Sequence, residues 1–419
     1  GDSAVIRGWM TMFGLYRILE VPYKLKLNTI TDPGPPLSGE LVYSFSEFVQ
    51  SRFIPLLRKR VKSPLLDEGT DPVDKLKGMR AKPFLIAKSS PTRSSSEDQV
   101  DEMATPLSTS VGSIQGAAVA WRLSPLYTML EAWCKLTGSI WVLNRIEAWA
   151  PKEVLSGISG EIPLGKLGLK FEPAGKVRVF AMVDCFTQWL MKPLHDQIFG
   201  VLRQIPQDGT FDQLRPIRSM LRRRWAKAHG MWSYDLSAAT DRLPIVIQKI
   251  LLSPFLSSWG AEVWASLLIG RAYLFPGVKR GKGLPEMEPS LLHYGRGQPM
   301  GALSSWAMLA FTHHAIVQWA AARSIYKDKQ EWFSDYAVLG DDIVIGDRVV
   351  AREYLLIMDQ LDVSISTHKS LVSEKRPLCE FAKRFFSKSE DLSGVPWPEA
   401  LLGPRYFAIL MDVIRAYRP

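Results

Sequence analysis

Hydrophobic positions along the chain follow different rhythms, and each rhythm predicts a different element. Leu126, Met129, Leu130 and Trp133 fall at i, i+3, i+4 and i+7, the one-face spacing of an amphipathic helix over 125–137. Ser124 suits its N-cap, Pro125 its first position and Gly138 its end. Helices are also predicted over 190–202, 245–256 and 259–275, and as mixed segments through the first 60 residues. The segment Phe45 to Val61 closes on Arg58-Lys59-Arg60, which reads as a solvated helix face. From Glu161 onward, short β-like runs appear. Leu167 to Phe171 and Val177 to Met182 are split by Pro173-Ala174-Gly175, and Met231 to Tyr234 ends in Asp235. Tyr336 to Leu339 and Ile343 to Ile345 bracket Gly340-Asp341-Asp342 as a hairpin. This mixture of strands and helices predicts an α+β or α/β core.

Two stretches depart from these rhythms. Gly297 to Ala322 carries no formal charge, yet holds Gln298, Ser304, Ser305, Thr312, His313, His314 and Gln318. Lipid would penalise so many polar groups, so a helix buried in protein is expected and a membrane span is not. His313-His314 reads as a pair of hydrogen-bonded core histidines, and the six histidines show no metal-ligand spacing. Between Ser89 and Ser113, eleven of twenty-five residues are Ser or Thr and no apolar period survives, which predicts a long surface loop.

Composition narrows the class. The 419 residues are too many for one compact core, so two or three subdomains are expected. With 47% hydrophobic and 22% charged residues, the chain is globular. Its net charge of +10 favours an anionic partner such as nucleic acid or an acidic membrane surface. Arg215, Arg218, Arg222, Arg223, Arg224 and Lys227, with Trp225 and Trp232 interleaved, fit either a solvated helix face or a track for a nucleic-acid backbone. Cys134, Cys185 and Cys379 are odd in number and far apart, which excludes a disulfide framework and points to a reducing compartment. The chain begins at Gly1, as a processed product or a fragment would.

Four local patterns carry chemistry. In Tyr-Ala-Val-Leu-Gly-Asp-Asp-Ile-Val-Ile, residues 336–345, two adjacent carboxylates sit in a tight turn between hydrophobic strands. Such a turn is either an ordinary Asp turn or a seat for a divalent cation, since hard oxygen ligands suit Mg²⁺. In Trp-Ser-Tyr-Asp-Leu-Ser-Ala-Ala-Thr-Asp-Arg, residues 232–242, Asp235 ends a strand and Asp241 follows past a turn of small residues. A strand-end Asp beside a hairpin-turn Asp would make the platform that two-metal phosphoryl transfer needs. Lys170, Lys176 and Arg178 flank a tight turn, either as a solvated basic hairpin or as a triphosphate clamp. Gly297-Gln-Pro-Met-Gly301 feeds the uncharged helix, either as a plain turn or as a loop offering backbone N–H groups to phosphate or ribose.

In this order the four patterns resemble the F, A, B and C motifs of viral RNA-dependent RNA polymerases, and most closely those of mitoviruses, kin of narnavirus and RNA-phage replicases. Phe-Ala-Met-Val-Asp at 180–184, Lys-Pro-Leu-His-Asp at 192–196, Asp-Gly-Thr-Phe-Asp-Gln at 208–213 and Asp-Leu-Ser-Ala-Ala-Thr-Asp-Arg-Leu-Pro at 235–244 carry the likeness. So does Gly-Gln-Pro-Met-Gly-Ala-Leu-Ser-Ser-Trp-Ala-Met-Leu at 297–309, and the whole runs from about Leu164 to Arg384. The resemblance implies an α+β right hand of fingers, palm and thumb, with an antiparallel-sheet palm. Its parts would be 1–230 for the N-terminal region and fingers, with the basic hairpin near 165–182. The palm would be 231–385, with a fingers insertion near 245–295, and a short thumb or tail would follow at 386–419.

The resemblance also implies residue roles. Asp235 and Asp341 would hold two Mg²⁺ ions, with Asp342 auxiliary and Mn²⁺ able to substitute. Asp241 would accept from a ribose 2′-hydroxyl, with Ser304 and Ser305 nearby. Lys170, Lys176 and Arg178 would line the nucleotide channel. Lys369, in Thr367-His-Lys369-Ser, would be the acid that protonates pyrophosphate. Gly297, Gly301, Arg222 and Arg223 would meet RNA. Glu-Phe-Ala-Lys-Arg at 380–384 would support the primer end, with Lys383 or Arg384 on phosphates. Thr105 to Gly112 would be the template entrance. Template RNA, nascent RNA and NTPs are the implied partners, and a host mitochondrion the implied setting. Two features depart from the pattern: Leu309 stands where many such helices carry Asn, and only residues 386–419 follow the last motif. Two rivals remain. A reverse transcriptase usually places Phe or Tyr five residues after the first Asp, where Thr240 stands here. An inactive RNA-binding remnant would bind RNA and extend nothing.

Overall fold

A computed structural model describes residues 2–19, 21–67, 71–84, 114–156, 162–224, 230–281, 283–387 and 390–416. The Ser/Thr-rich stretch, Thr105 to Gly112, Trp225 and Lys227 lie outside them. Among the described residues the strands are, in chain order, β1 (Gly165–Glu172), β2 (Lys176–Val183), β3 (Met231–Asp235), β4 (Tyr273–Phe275), β5 (Ser290–Leu292), β6 (Tyr336–Leu339) and β7 (Asp342–Ile345). β8 (Leu371–Ser373), β9 (Leu378–Phe381), β10 (Arg384–Ser387) and β11 (Glu390–Asp391) complete them. They form three sheets, ordered β6-β7-β3-β8, β2-β1-β4-β5 and β11-β10-β9. Long helices surround them, so the class is α+β. All pairings are antiparallel except the short β1–β4 join.

The central sheet forms around strands that are buried on both faces. Met231, Trp232, Ser233 and Tyr234 are all buried, as are Ile343, Val344 and Ile345. Strands covered on both sides read as continuous hydrophobic runs, which is why no alternation marks them in the sequence. One face packs on the helix Ser305–Arg323, whose residues 307–321 are buried throughout. The predicted uncharged helix is therefore present, but residues 297–304 form the loop that leads into it. The N-terminal segment seals this helix from outside. Phe45 meets Trp319 edge-on and Phe53 meets Phe311, so one hydrophobic core runs from Ile30 to Val363. Among the described residues no helix is long and apolar enough to cross a membrane.

The structure corrects four expected boundaries. The helix expected from Pro125 spans Tyr127–Leu136. Ser124 Oγ accepts from the Leu126 N–H, closing a turn before the helix rather than capping it. The helix expected over 190–202 begins at Cys185, because Asp184 accepts from the Thr187 N–H and caps it. The segment expected at Phe45 starts at Gly39, capped by Ser38, and passes through a π turn at Val49–Phe53. Ile245–Ile269 runs as two helices kinked at Ser257, and Tyr273–Phe275 is strand β4 rather than helix end. Tyr273 and Phe275 alternate inward there, a two-residue period too short to separate from a helical one by pattern.

Candidate active site

Strand register brings three carboxylates together. In the β3–β7 ladder Asp235 lies opposite Asp342, and Asp341 is the residue before it. The β6–β7 pairing joins Leu339 to Asp342, so Gly340 and Asp341 form a two-residue loop. Gly340 has φ of +59° and Asp341 does not have positive φ, which matches hairpin turns that favour Gly first. The buried His313 fixes this loop from below. Its ring nitrogens meet the Gly340 carbonyl oxygen at 2.8 Å and the Tyr354 hydroxyl at 2.8 Å. A carbonyl only accepts, so Nδ1 carries the proton and Nε2 accepts from Tyr354. Burial pushes the His313 imidazole down to about 4, which keeps it neutral. The neighbouring His314 meets Asp208 at 3.0 Å and the Tyr336 hydroxyl at 2.8 Å. Both histidines are satisfied core groups, as their setting predicted.

The cluster is electrostatically crowded. Burial raises the Asp342 carboxyl to about 7, with Asp341, Asp235 and Glu380 adding repulsion. Asp341 reaches solvent, yet surrounding protein displaces enough water to raise its carboxyl, and Asp235 adds to the rise. The Lys369 ammonium lies 3.1 Å from Asp235 Oδ2 and is 54% exposed. It is held by the 3₁₀ turn Thr367–Lys369, whose Ser366 N–H donates to the Asp235 carbonyl.

The basic hairpin faces the same place. β1 and β2 pair from Gly165↔Val183 to Glu172↔Lys176, turning at Ala174 and Gly175, both with positive φ. Lys176 and Arg178 stabilise the charge of Asp341, so they stand within electrostatic reach of it. Burial lowers the Lys176 ammonium, and Arg178, Lys369 and Lys383 add repulsion. Arg178 pairs with Glu172 at 3.0 Å. Lys170 sits directly across the ladder from Arg178. Lys383 occupies the β9–β10 turn with φ of +61°. Residues from five separated segments therefore meet around Asp341.

Asp241 lies on the short helix Ala239–Arg242 beyond β3. Burial raises its carboxyl to about 6, and the Thr29 hydroxyl donates to Oδ2 at 3.0 Å. Gly297 is pressed against the Thr240–Asp241 backbone. A Cβ there would come within 2.3 Å of the Thr240 carbonyl oxygen. Gly301, with φ of +121°, is pressed against the Ala181 carbonyl of β2 in the same way. Both glycines thus permit close backbone approach, the use that a missing Cβ allows.

Other predicted residues are buried, paired locally or exposed. Ser304 and Ser305 are buried. Ser304 Oγ accepts from Trp264 Nε1 at 3.0 Å, so its hydroxyl serves packing in this structure. Arg384 pairs with Asp391 at 2.7 Å. Arg222 is exposed on the helix Arg215–Arg224. Arg223 there donates to the Ser334 carbonyl at 3.2 Å.

Sequence reasoning missed Thr29, Glu380 as a member of the acidic cluster, and His313 as a clamp on the turn. No local pattern marks any of them, since each gains its role from a partner far away in the chain. Among the described residues no group of three or more His, Cys, Asp or Glu is gathered tightly enough to be a ready metal cage. The donor set nevertheless fits a divalent ion. Asp235, Asp341 and Asp342 are hard oxygen ligands, and their mutual repulsion with Glu380 is what a cation would relieve.

A family model described as mitovirus RNA-dependent RNA polymerase matches residues 77–417. An RNA-directed RNA polymerase of Cryphonectria parasitica mitovirus 1 is 39% identical over 247 residues, covering 58% of this chain and 28% of that protein. An uncharacterized mitochondrial protein of Arabidopsis thaliana is 45% identical over 199 residues, covering 47% of this chain and 74% of that protein. A second from the same plant is 35% identical over 174 residues, covering 41% of this chain and 79% of that protein.

Proposed function

The chain belongs to the mitovirus RNA-dependent RNA polymerase family, and from that premise we propose that it copies an RNA template by nucleotidyl transfer. The observation that carries the reading is the meeting of Asp235 and Asp342 across one strand ladder, with Asp341 beside them. In the reaction the 3′-hydroxyl of the nascent strand gives up its proton to water, and its oxygen bonds to the α-phosphorus of an NTP. The bond from α-phosphorus to the bridging oxygen breaks, and pyrophosphate leaves.

Asp235, Asp341 and Asp342 would hold two Mg²⁺ ions, with Mn²⁺ able to substitute. Bound there, the ions supply charge neutralisation for the attacking and leaving oxygens. The chain's own groups do the rest. Lys176 and Arg178 bind the triphosphate, whose negative charge offsets the repulsion within the cationic group. Lys369 Nζ leaves Asp235 and gives its proton to the departing pyrophosphate. Asp241 accepts from the ribose 2′-hydroxyl and so selects ribonucleotides. Lys170 lines the channel. Gly297, Gly301, Lys383, Arg384, Arg222 and Arg223 would serve RNA, the glycines by shaping the loop that carries it.

The sheet β6-β7-β3-β8 is the palm of this reading and the β1–β2 hairpin is part of the fingers. Residues 1–230, 231–385 with an insertion near 245–295, and 386–419 would be N-terminal region with fingers, palm and short thumb. A mitochondrial setting rests on the relatives, two of which are called mitochondrial proteins. The test is incorporation of labelled NTPs on a short RNA template by the wild type and by Asp341→Asn.

A further inference from the structure

Residues 21–35 form a strap that ties the basic hairpin to the segment holding Asp241. At one end the Lys24 N–H donates to the Gly175 carbonyl at 2.8 Å, and Tyr23 meets Phe171 edge-on. At the other, Arg242 donates to the Asp32 carbonyl, and Arg296 donates to the Pro33 and Pro35 carbonyls, all within 2.8 Å. Between these anchors lies the short helix Asn28–Thr31. Ile30 buries its side chain in the main core, and its carbonyl accepts from the Gly295 N–H at 2.8 Å. The Thr29 hydroxyl is thereby held at a fixed place, 3.0 Å from Asp241 Oδ2. Among the described residues it is the one hydrogen-bond donor on that carboxylate.

A carboxylate with one oxygen pinned has its rotamer set and its second oxygen committed to a defined direction. We propose that Thr29 is a positioning residue for ribose selection: its hydroxyl takes Asp241 Oδ2 and leaves Oδ1 aimed at the 2′-hydroxyl of the incoming nucleotide. The inference rests on the reading of Asp241 as the ribose acceptor. It adds that discrimination depends on a threonine from the N-terminal strap, far from any polymerase-like pattern in the sequence. A valine at 29 keeps the shape and loses the donor; a serine keeps the donor.

The test compares rNTP with dNTP incorporation on one RNA template, using the full chain as wild type, Thr29→Val, Thr29→Ser and Asp241→Ala. Thr29→Val is expected to narrow the kcat/KM ratio of rNTP over dNTP by about 2- to 12-fold, the span of one net intramolecular hydrogen bond. The loss should fall on the rNTP, and Thr29→Ser should recover most of it. A folding defect lowers both substrates alike and leaves the ratio of the active fraction unchanged, so the ratio stays informative. An unchanged ratio in Thr29→Val, with a narrowed ratio in Asp241→Ala, would overturn the role of Thr29 alone. An unchanged ratio in Asp241→Ala would overturn the ribose reading itself, and the inference with it.

Discussion

His313 Nδ1 donates to the Gly340 carbonyl at 2.8 Å, so a buried side chain of the core helix holds the turn that presents Asp341. The bond links packing to chemistry, because the loop position depends on a helix whose residues 307–321 are buried throughout. His313→Leu removes the donor to Gly340 and the acceptor for Tyr354, leaving two buried polar groups unmet. A loss of about 2–4 kcal/mol is expected in urea denaturation at pH 7.5. The pH dependence has a definite sign. The folded imidazole is depressed from 6.5 to about 4, so the unfolded chain binds the proton first as pH falls. The stability due to His313 is complete above pH 6.5 and drains away towards pH 4. The gap between wild type and variant should therefore shrink at pH 4.5. A constant gap would mean that the imidazole titrates normally.

Asp241 gives the opposite slope. Its folded carboxyl is raised from 3.8 to about 6, so the folded chain keeps the proton longer than the unfolded chain. The penalty for ionising it is absent below pH 3.8 and complete above pH 6. Asp241→Asn cannot ionise and can still accept from Thr29. It should be more stable than wild type by about 1–3 kcal/mol at pH 7.5, with the difference gone by pH 4. Thermal melts at the two pH values would check this; equal differences at both would refute it.

A third expectation concerns Arg271 and Asp184, a fully buried pair at 3.0 Å. Asp184 also accepts from Trp121 Nε1 at 2.9 Å and caps its helix through Thr187. Arg271→Met would strand that carboxylate and cost about 3–5 kcal/mol. Adding Asp184→Asn removes the stranded charge, so the double variant should unfold at a higher urea concentration than Arg271→Met alone. A double variant as weak as the sum of the two single changes would show that the pair is not coupled.

How much of this was legible in the sequence depends on the distance between partners. The hairpins at 173–175 and 340–341 were readable because turn chemistry is local: Gly175 and Gly340 have positive φ, and the flanking runs are β-branched or aromatic. The uncharged helix was readable because sixteen of its nineteen residues are buried and need no charge. The sequence reading put Asp342 in the turn and brought Asp235 beside Asp341, so the pairing of Asp235 with Asp342 was not expected, since nothing local states which residues face each other. Tyr273–Phe275 was misread as helix because three residues cannot display a period. Arg271 and Thr29 were silent because a lone polar residue looks the same whether it is exposed or paired, and for His313 the burial was readable but the Gly340 partner was not. Ser304 is a further instance, since nothing local shows that its hydroxyl oxygen accepts from Trp264.

The most direct measurement is template-length product from labelled NTPs on a short RNA, with Mg²⁺, for the wild type and for Asp341→Asn, beside RNA binding by both. The account predicts extension by the wild type, none by Asp341→Asn, and RNA affinities within about twofold, because one carboxylate contributes little to phosphate binding. Undiminished extension by Asp341→Asn, or a wild type that binds RNA and extends nothing with Mg²⁺ or Mn²⁺, would contradict it.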